Sequence, residues 1–535
     1  MVGADSGALT GDANGPTSAA SAAVGFRLLL ATLILVGIAT RSAPLLDQEG
    51  RLMNAPTDDG YLMLTIARNL ATGKGFTVSD GIIPTNGTQP LATMLDAGVF
   101  MVAGADRRTG IQVLLVVQLI TACLAALGLR RLAINVLGAR EDGKTIADLA
   151  AAAWFASAVT VRHTINFLET GMYALAVVLV ALAVYKIQSS GEGRPGYLRY
   201  AWLGALLGVA FWARNDAVFL ILATCLALVF DVFRVPQTRA RGWYRAIVLG
   251  ITSAIVAAPW LWFNHSRFGD IVPVSGKAET LGAAQSLSVL PSVLASYFWM
   301  VSPVPLALQE KPLVIAVCLL LLAIAAVALR QVWRSAAADQ RRFMRWAGLY
   351  CSFLVLFYGF FFGVPTFLSR FLFPLSPFLT LLWAVAVVRV WRWGEQRGLG
   401  QVAQLAAAAL CAITLAVHVR SYHSLRGHLQ LPMLRWVNKN VPDRIWIGAV
   451  QSGTLGFFHD RTINLDGKVN PAAYQARLQN RIGEYMVATP VEYLVDWVGL
   501  VDYYRVPMVR ENFELIVKDS VQNLAVLKRR NPESL

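Results

Sequence analysis

Apolar runs long enough to cross a bilayer alternate with short basic loops through the first 418 residues, and after His418 the alternation stops. A helix needs roughly 20 mostly apolar residues to cross the hydrocarbon layer. Clear runs lie at 25–40, 110–129, 168–185, 246–263, 313–329, 347–363 and 371–388, with weaker ones at 146–161, 201–213, 216–233 and 400–418. The pattern predicts a mainly α, polytopic membrane protein of about eleven transmembrane helices. Residues 89–104 are apolar too, but Gln89 and Pro90 open the run and Asp96 interrupts it. Counting it as a span would invert every later loop, so an amphipathic or re-entrant helix is expected there. The first outer loop then covers 41–109. That is too long for a plain connector, and long ordered loops usually carry function.

Beyond the last span the periodicity changes. Residues 419–535 hold β-like runs at Ile445–Val450, Thr462–Asp466, Glu492–Val495 and Phe513–Val517, with helical stretches at Pro432–Asn440 and Pro471–Gln479. A small α/β domain on the outer face is expected, without the Gly-rich loop of a nucleotide enzyme. The first 23 residues, rich in Gly, Ala, Ser and Thr, read as a disordered cytoplasmic N-terminus. They lack the basic start and cleavage site of a signal peptide, so the next run reads as a retained helix. The expected organisation is 1–23, a membrane module over 24–418, and an extracytoplasmic domain over 419–535.

Composition agrees with a membrane protein: 56% of residues are hydrophobic and only 15% charged. The net charge of +15 comes largely from Arg and Lys clustered at 130–144, 186–199, 234–245, 330–345 and 389–397, in loops after alternate spans. That is the positive-inside signature, which reports topology and argues against nucleic acid as a partner. Loops 41–109, 162–168, 264–311 and 364–370, with everything after about 419, then face outward, and Arg107 and Arg108 are exceptions. All five cysteines lie in apolar segments with no CxxC spacing, so neither disulfides nor structural zinc are expected.

Candidate chemistry gathers on the outer side. Asp58 and Asp59, in Pro-Thr-Asp-Asp-Gly-Tyr, follow the first span. An acidic pair beside an apolar helix suits a base or a metal ligand; the same residues also suit a helix N-cap. Glu169 opens the span after the second outer loop, Arg214-Asn215-Asp216 joins two spans, Lys277 lies in a later outer loop, and Arg370 precedes the tenth span. Transfer of a sugar from a lipid phosphate needs both kinds of group: a carboxylate to deprotonate a hydroxyl and fixed cations to stabilise the departing phosphate.

With these motifs in order, the chain resembles the C-type (GT-C) integral-membrane glycosyltransferases, in the branch with protein O-mannosyltransferases, the lipid A aminoarabinose transferase and arabinofuranosyltransferases. The resemblance rests on Asp-Asp-Gly-Tyr (58–61), Ile-Ala-Arg-Asn-Leu-Ala-Thr-Gly-Lys-Gly-Phe (66–76), Pro-Thr-Asn-Gly-Thr-Gln-Pro-Leu (84–91), Leu-Glu-Thr-Gly-Met-Tyr (168–173), Arg-Phe-Leu-Phe-Pro (370–374) and the stretch 453–470. It implies an inverting enzyme of the cytoplasmic membrane. Its donor would be a polyprenyl-phosphate sugar and its acceptor a glycan, lipid or protein hydroxyl.

Family members carry an acidic dyad nine residues before an Ala-Arg pair's arginine. Counting back from Arg68 puts Asp59 at the base position and Asp58 one before it, with Gly60 in place of the second acid. The resemblance assigns Arg370 to the donor phosphate and Glu169 to acceptor orientation or metal support, and makes Lys277, Arg68 and Tyr61 further substrate-binding candidates. Arg370 is equally readable as a snorkelling residue, and Glu169 as an acid favoured by a helix N-terminus. Two or three acids suit a divalent cation, and nothing in their spacing decides for or against one. A transporter or flippase of lipid-linked sugars is the alternative. It should show paired halves and charges along a path, whereas here the acids cluster at one face.

Overall fold

The computed structural model describes residues 15–46, 51–138, 140–190, 196–234, 239–280, 287–299, 304–361, 365–424 and 430–531. The membrane module opens with α1 (Gly15–Leu46), which begins earlier than expected, so the last part of the stretch read as disordered is helical. Residues 1–14 lie outside the described residues. Two short helices of the first outer loop follow, α2 (Asp58–Ala71) and α3 (Pro90–Val102). Then come α4 (Arg107–Leu137), α5 (Gly143–Ala156), α6 (Ala158–Thr164), α7 (Thr170–Ser189), α8 (Tyr197–Ala213), α9 (Ala217–Arg234) and α10 (Arg239–Phe268). The outer loop after α10 carries α11 (Val274–Thr280) and α12 (Leu290–Trp299). The module closes with α13 (Pro312–Arg334), α14 (Ala338–Leu356), the single turn α15 (Leu368–Phe371), α16 (Ser376–Glu395) and α17 (Gly400–Ser424).

Among the described residues, eight helices are long and apolar enough to cross a membrane, or nine if α5 and α6, bent by 59° at Ser157, form one span. The weaker runs at 201–213 and 216–233 are helices α8 and α9, of 17 and 18 residues. The apolar run at 89–104 becomes α3, whose 13 residues reach only about 20 Å, too short to cross. One face of α3 buries Ala92, Ala97 and Phe100 while Met94, Leu95, Met101 and Val102 stay exposed, the pattern of a helix lying in an interface. Alanines at 147, 150, 152 and 153 of α5 are buried, and small residues let backbones approach closely where no hydrophobic driving force exists.

The basic loops collect at one end of the bundle. Arg140 donates to Val332 O, Arg342 to Gln188 O, and Arg392 to Asp142. The first outer loop and the C-terminal domain occupy the other end, and Arg107 donates there to Phe457 O and Asp460.

The C-terminal domain is a five-stranded mixed sheet. The first outer loop contributes a two-stranded hairpin, β1 (Thr77–Val78) and β2 (Ile83–Pro84). The sheet itself is built from β3 (Ile447–Ala449), β4 (Thr462–Asn464), β5 (Tyr493–Asp496), β6 (Phe513–Asp519) and β7 (Leu524–Arg529), in the order β4-β3-β5-β7-β6. Strand β3 is parallel to β4 and β5, while β7 is antiparallel to β5 and β6. Helices α18 (Leu431–Asn440), α19 (Gly453–Phe458) and α20 (Pro471–Leu478) pack around it. Two of these stand where the sequence predicts them; α19 and β7 were not expected.

Candidate active site

Helix α2 sets the site. Thr57 is its N-cap, and the hydroxyl accepts from Gly60 N at 3.1 Å. The cap role proposed for the acids is therefore filled by Thr57, and Asp58 and Asp59 occupy the first turn, where the dipole favours negative charge. Successive helical residues point about 100° apart, so the two acids face different partners. Asp58 accepts from Gly453 N (3.1 Å), Thr454 N (2.8 Å) and Thr454 Oγ1 (2.9 Å), which ties α2 to the start of α19. Asp59 meets Arg370 Nη1 at 3.1 Å and Lys468 Nζ at 3.3 Å.

These surroundings pull the two carboxyls apart. Burial pushes Asp58 up, and the Thr454 hydrogen bonds only partly oppose it. Burial also pushes Asp59 up, but Lys468 and Arg370 outweigh it and hold the carboxyl below the usual carboxylate range. Asp58 is a clamp between domains; Asp59 is the acid set among cations.

Those cations come from distant elements. Arg370, on α15, reaches Asp59 with one terminal nitrogen and Glu169 with the other, at 3.3 Å. Glu169 stands at the N-cap position of α7, yet its side chain makes no cap hydrogen bond and turns to Arg370 and Arg214 instead. Arg214, at the C-cap of α8, pairs with Asp216 at 2.6 Å and lies 5.1 Å over the Tyr173 ring, behind Arg370. Lys468 follows β4 in the C-terminal domain, packs 4.8 Å over Phe367, and also contacts Glu279 of α11 at 3.5 Å. Asp59 and Glu279 raise the Lys468 ammonium against the opposing effect of burial, so it stays charged.

Glycines in the sequence motifs explain how these pieces meet. A Cβ at Gly60 would collide with Asn166 O of the second outer loop, so the second acid of the family pattern has no room here. A Cβ at Gly87 would collide with Lys468 O, so the Asn-Gly turn is what lets the lysine-bearing loop settle against the first outer loop. The neighbouring Asn86 accepts from Val274 N at 3.0 Å and so holds α11, which carries Glu279, to the same loop.

Three sequence candidates lie outside the cluster. Arg68 is nine residues along α2 from Asp59, about 13 Å of rise, and grips Asp460 at 2.7 Å together with Arg107. Tyr61 is buried against Phe457 and Phe458, with its hydroxyl donated to Met53 O. Both dock the C-terminal domain instead of lining the charged mouth. Lys277 pairs with Asp270, and Lys468 stands where that lysine was expected to act. Lys468 and Glu279 were missed. The one signal for Lys468 is its place in the Asp-Gly-Lys turn of the motif stretch 453–470.

Among the described residues, no group of three or more His, Cys, Asp or Glu is arranged to hold a metal. Asp59, Glu169 and Glu279 each face Lys or Arg, a donor set that does not fit a divalent ion.

The architecture is the GT-C fold of membrane glycosyltransferases. ArnT from Cupriavidus metallidurans bound to undecaprenyl phosphate matches at 12% identity and a TM-score of 0.59, over 92% of this chain and 97% of that one. AglB, the oligosaccharyltransferase of Archaeoglobus fulgidus, in complex with an inhibitory peptide and a dolichol-phosphate, matches at 13% identity and a TM-score of 0.54, over 92% and 72%. Residues 420–534 match a family model described as a domain of unknown function, DUF8728. None of the curated proteins matches the sequence.

Proposed function

We propose that the chain is an inverting glycosyltransferase that moves a sugar from a polyprenyl-phosphate donor to an acceptor hydroxyl at the outer face of the cytoplasmic membrane. The observation that carries the reading is Asp59, a carboxylate set between two fixed cations at one end of a helical bundle. Asp59 takes the proton of the acceptor hydroxyl as its oxygen bonds to the sugar's anomeric carbon. The bond from that carbon to the phosphate oxygen breaks, and the electron pair leaves with the polyprenyl phosphate, whose charge Arg370 and Lys468 receive. One displacement inverts the anomeric centre.

Supporting features surround the site. ArnT and AglB, whose fold this is, were seen with undecaprenyl phosphate and dolichol-phosphate. Phe360 and Phe361, 49% and 81% exposed, lie shortly before Arg370 and suit a prenyl tail. The arginine-bearing loops gather at the far end, which favours an extracytoplasmic mouth and C-terminal domain. The charges form one cluster at one end, which favours an enzyme over the transporter alternative. The test is sugar release from polyprenyl-phospho-sugars by purified protein in vesicles. Asp59→Asn should abolish it while the variant still inserts and retains donor lipid; full activity in both Asp58→Asn and Asp59→Asn would end the reading.

A further inference from the structure

The cations that a donor phosphate needs are already neutralised. Glu279, Lys468, Asp59, Arg370, Glu169, Arg214 and Asp216 form a chain of alternating sign, each within 4 Å of the next. That is four carboxylates against three cations, so the mouth offers no surplus positive charge to an arriving anion. Among the described residues, Arg370 Nε is buried without a hydrogen-bond partner, an unmet donor on the guanidinium that grips Asp59. The Asp59 side chain, 20% exposed, is the most accessible of these four carboxylates, against 10% for Glu279, 7% for Asp216 and 3% for Glu169.

We propose that the Asp59 carboxylate occupies the phosphate seat between Arg370 and Lys468, and that donor phosphate binds by displacing it. This deepens the function proposed above and rests on it. A phosphate oxygen group offers the same two cations shorter, multiple charge-assisted contacts. Asp59, once displaced, loses the two cations that hold its proton affinity down, while burial continues to push it up. It becomes a stronger base when, and only when, a donor is seated. Glu169 keeps Arg370 aimed at the seat from α7, while Glu279 on α11 competes with an arriving phosphate for Lys468. The consequence is an ordered reaction, donor before acceptor, in which an empty enzyme does not activate the acceptor hydroxyl.

The test is binding of farnesyl phosphate, a short prenyl phosphate with no sugar to transfer, to the full-length protein in nanodiscs. Asp59→Asn removes the competing carboxylate and should tighten binding roughly tenfold, on the order of one charge-assisted contact. Glu279→Gln should tighten it less, and Arg370→Gln and Lys468→Gln should weaken it. Arg392→Gln, which breaks a pair with Asp142 at the other end of the bundle, should leave it unchanged. Thermal melting of each variant confirms folding, and Glu279→Gln keeps the test open if Asp59→Asn does not fold. Weaker or unchanged binding in both Asp59→Asn and Glu279→Gln overturns the displacement. If that result accompanies lost sugar transfer in Asp59→Asn, the base assignment stands and only the displacement falls. Tightening by inorganic phosphate alone, with no preference for the prenyl form, overturns the lipid-phosphate seat itself.

Discussion

Helix α2 meets the C-terminal domain at both of its ends, and the two junctions use the same ingredients differently. At its far end Arg68 and Arg107 converge on Asp460, a three-charge knot whose aspartate is 35% exposed. At its near end Asp59 sits among Arg370, Lys468 and, one step further, Glu169 and Glu279. The far junction is an ordinary docking contact: partly exposed pairs contribute about 0–1 kcal/mol each. The near junction holds its charges at a mouth between two modules, with more acids than bases and a better shielded aspartate, 20% exposed. Proximity of opposite charges does not mark a reactive site. A surplus of shielded acid does.

That contrast can be broken in order of size. Asp59→Asn should lower the rate of sugar transfer by roughly a hundredfold or more, the scale of a lost general base, and should lower the melting temperature at neutral pH because it removes a paired carboxylate; a rate within a few-fold of the parent would put the near junction in the same class as the far one. Gly87→Ala, which sets a methyl against Lys468 O, should push the lysine out of the mouth and weaken prenyl-phosphate binding about as much as Lys468→Gln does. Asp58→Asn removes the acceptor of three hydrogen bonds and should cost about 1–3 kcal/mol of domain docking, read as a lower melting temperature. Arg68→Gln should cost under about 1 kcal/mol and leave prenyl-phosphate binding unaltered.

Both aspartates are held below the usual carboxylate range against burial, Asp460 by Arg68 and Arg107 and Asp59 by Lys468 and Arg370, so variants are needed to tell the junctions apart by pH. Asp59 is depressed when folded, so its pairing contributes stability above the ordinary carboxylate range and loses it only as pH falls through its own lower value. Melting followed from pH 7 downward should show an acid limb that Asp59→Asn flattens.

How much of this was legible in the sequence follows from what kind of physics each feature obeys. The spans were readable because burial in lipid imposes a long apolar run, which is a local property. Asp59 was readable for a similar reason, as an acid pair beside such a run. Tyr61 and Arg68 were placed in the site because they share its motif, but helical geometry turns one into the core and carries the other two and a half turns away. Lys468 lies 409 residues from Asp59, and Glu279 stands in a seven-residue helix; nothing local marks either. Strand β7, six residues long, was missed because its Leu-Ala-Val-Leu run lacks the period-two alternation of a strand, and its pairing with β5 and β6 supplies what its own sequence does not.

The placement of Lys468 has a bearing on how the molecule is made. Residues up to Ser424 can insert as a helical bundle before the ribosome has reached position 468. Until then the reactive carboxylate has one cation in place of two, and the Asn86-Gly87 turn has no loop to receive. A nascent or truncated chain would thus carry every helix of the membrane module and still lack one of the two cations at Asp59, so on the function proposed above it would be held back from the donor until the C-terminal domain is made.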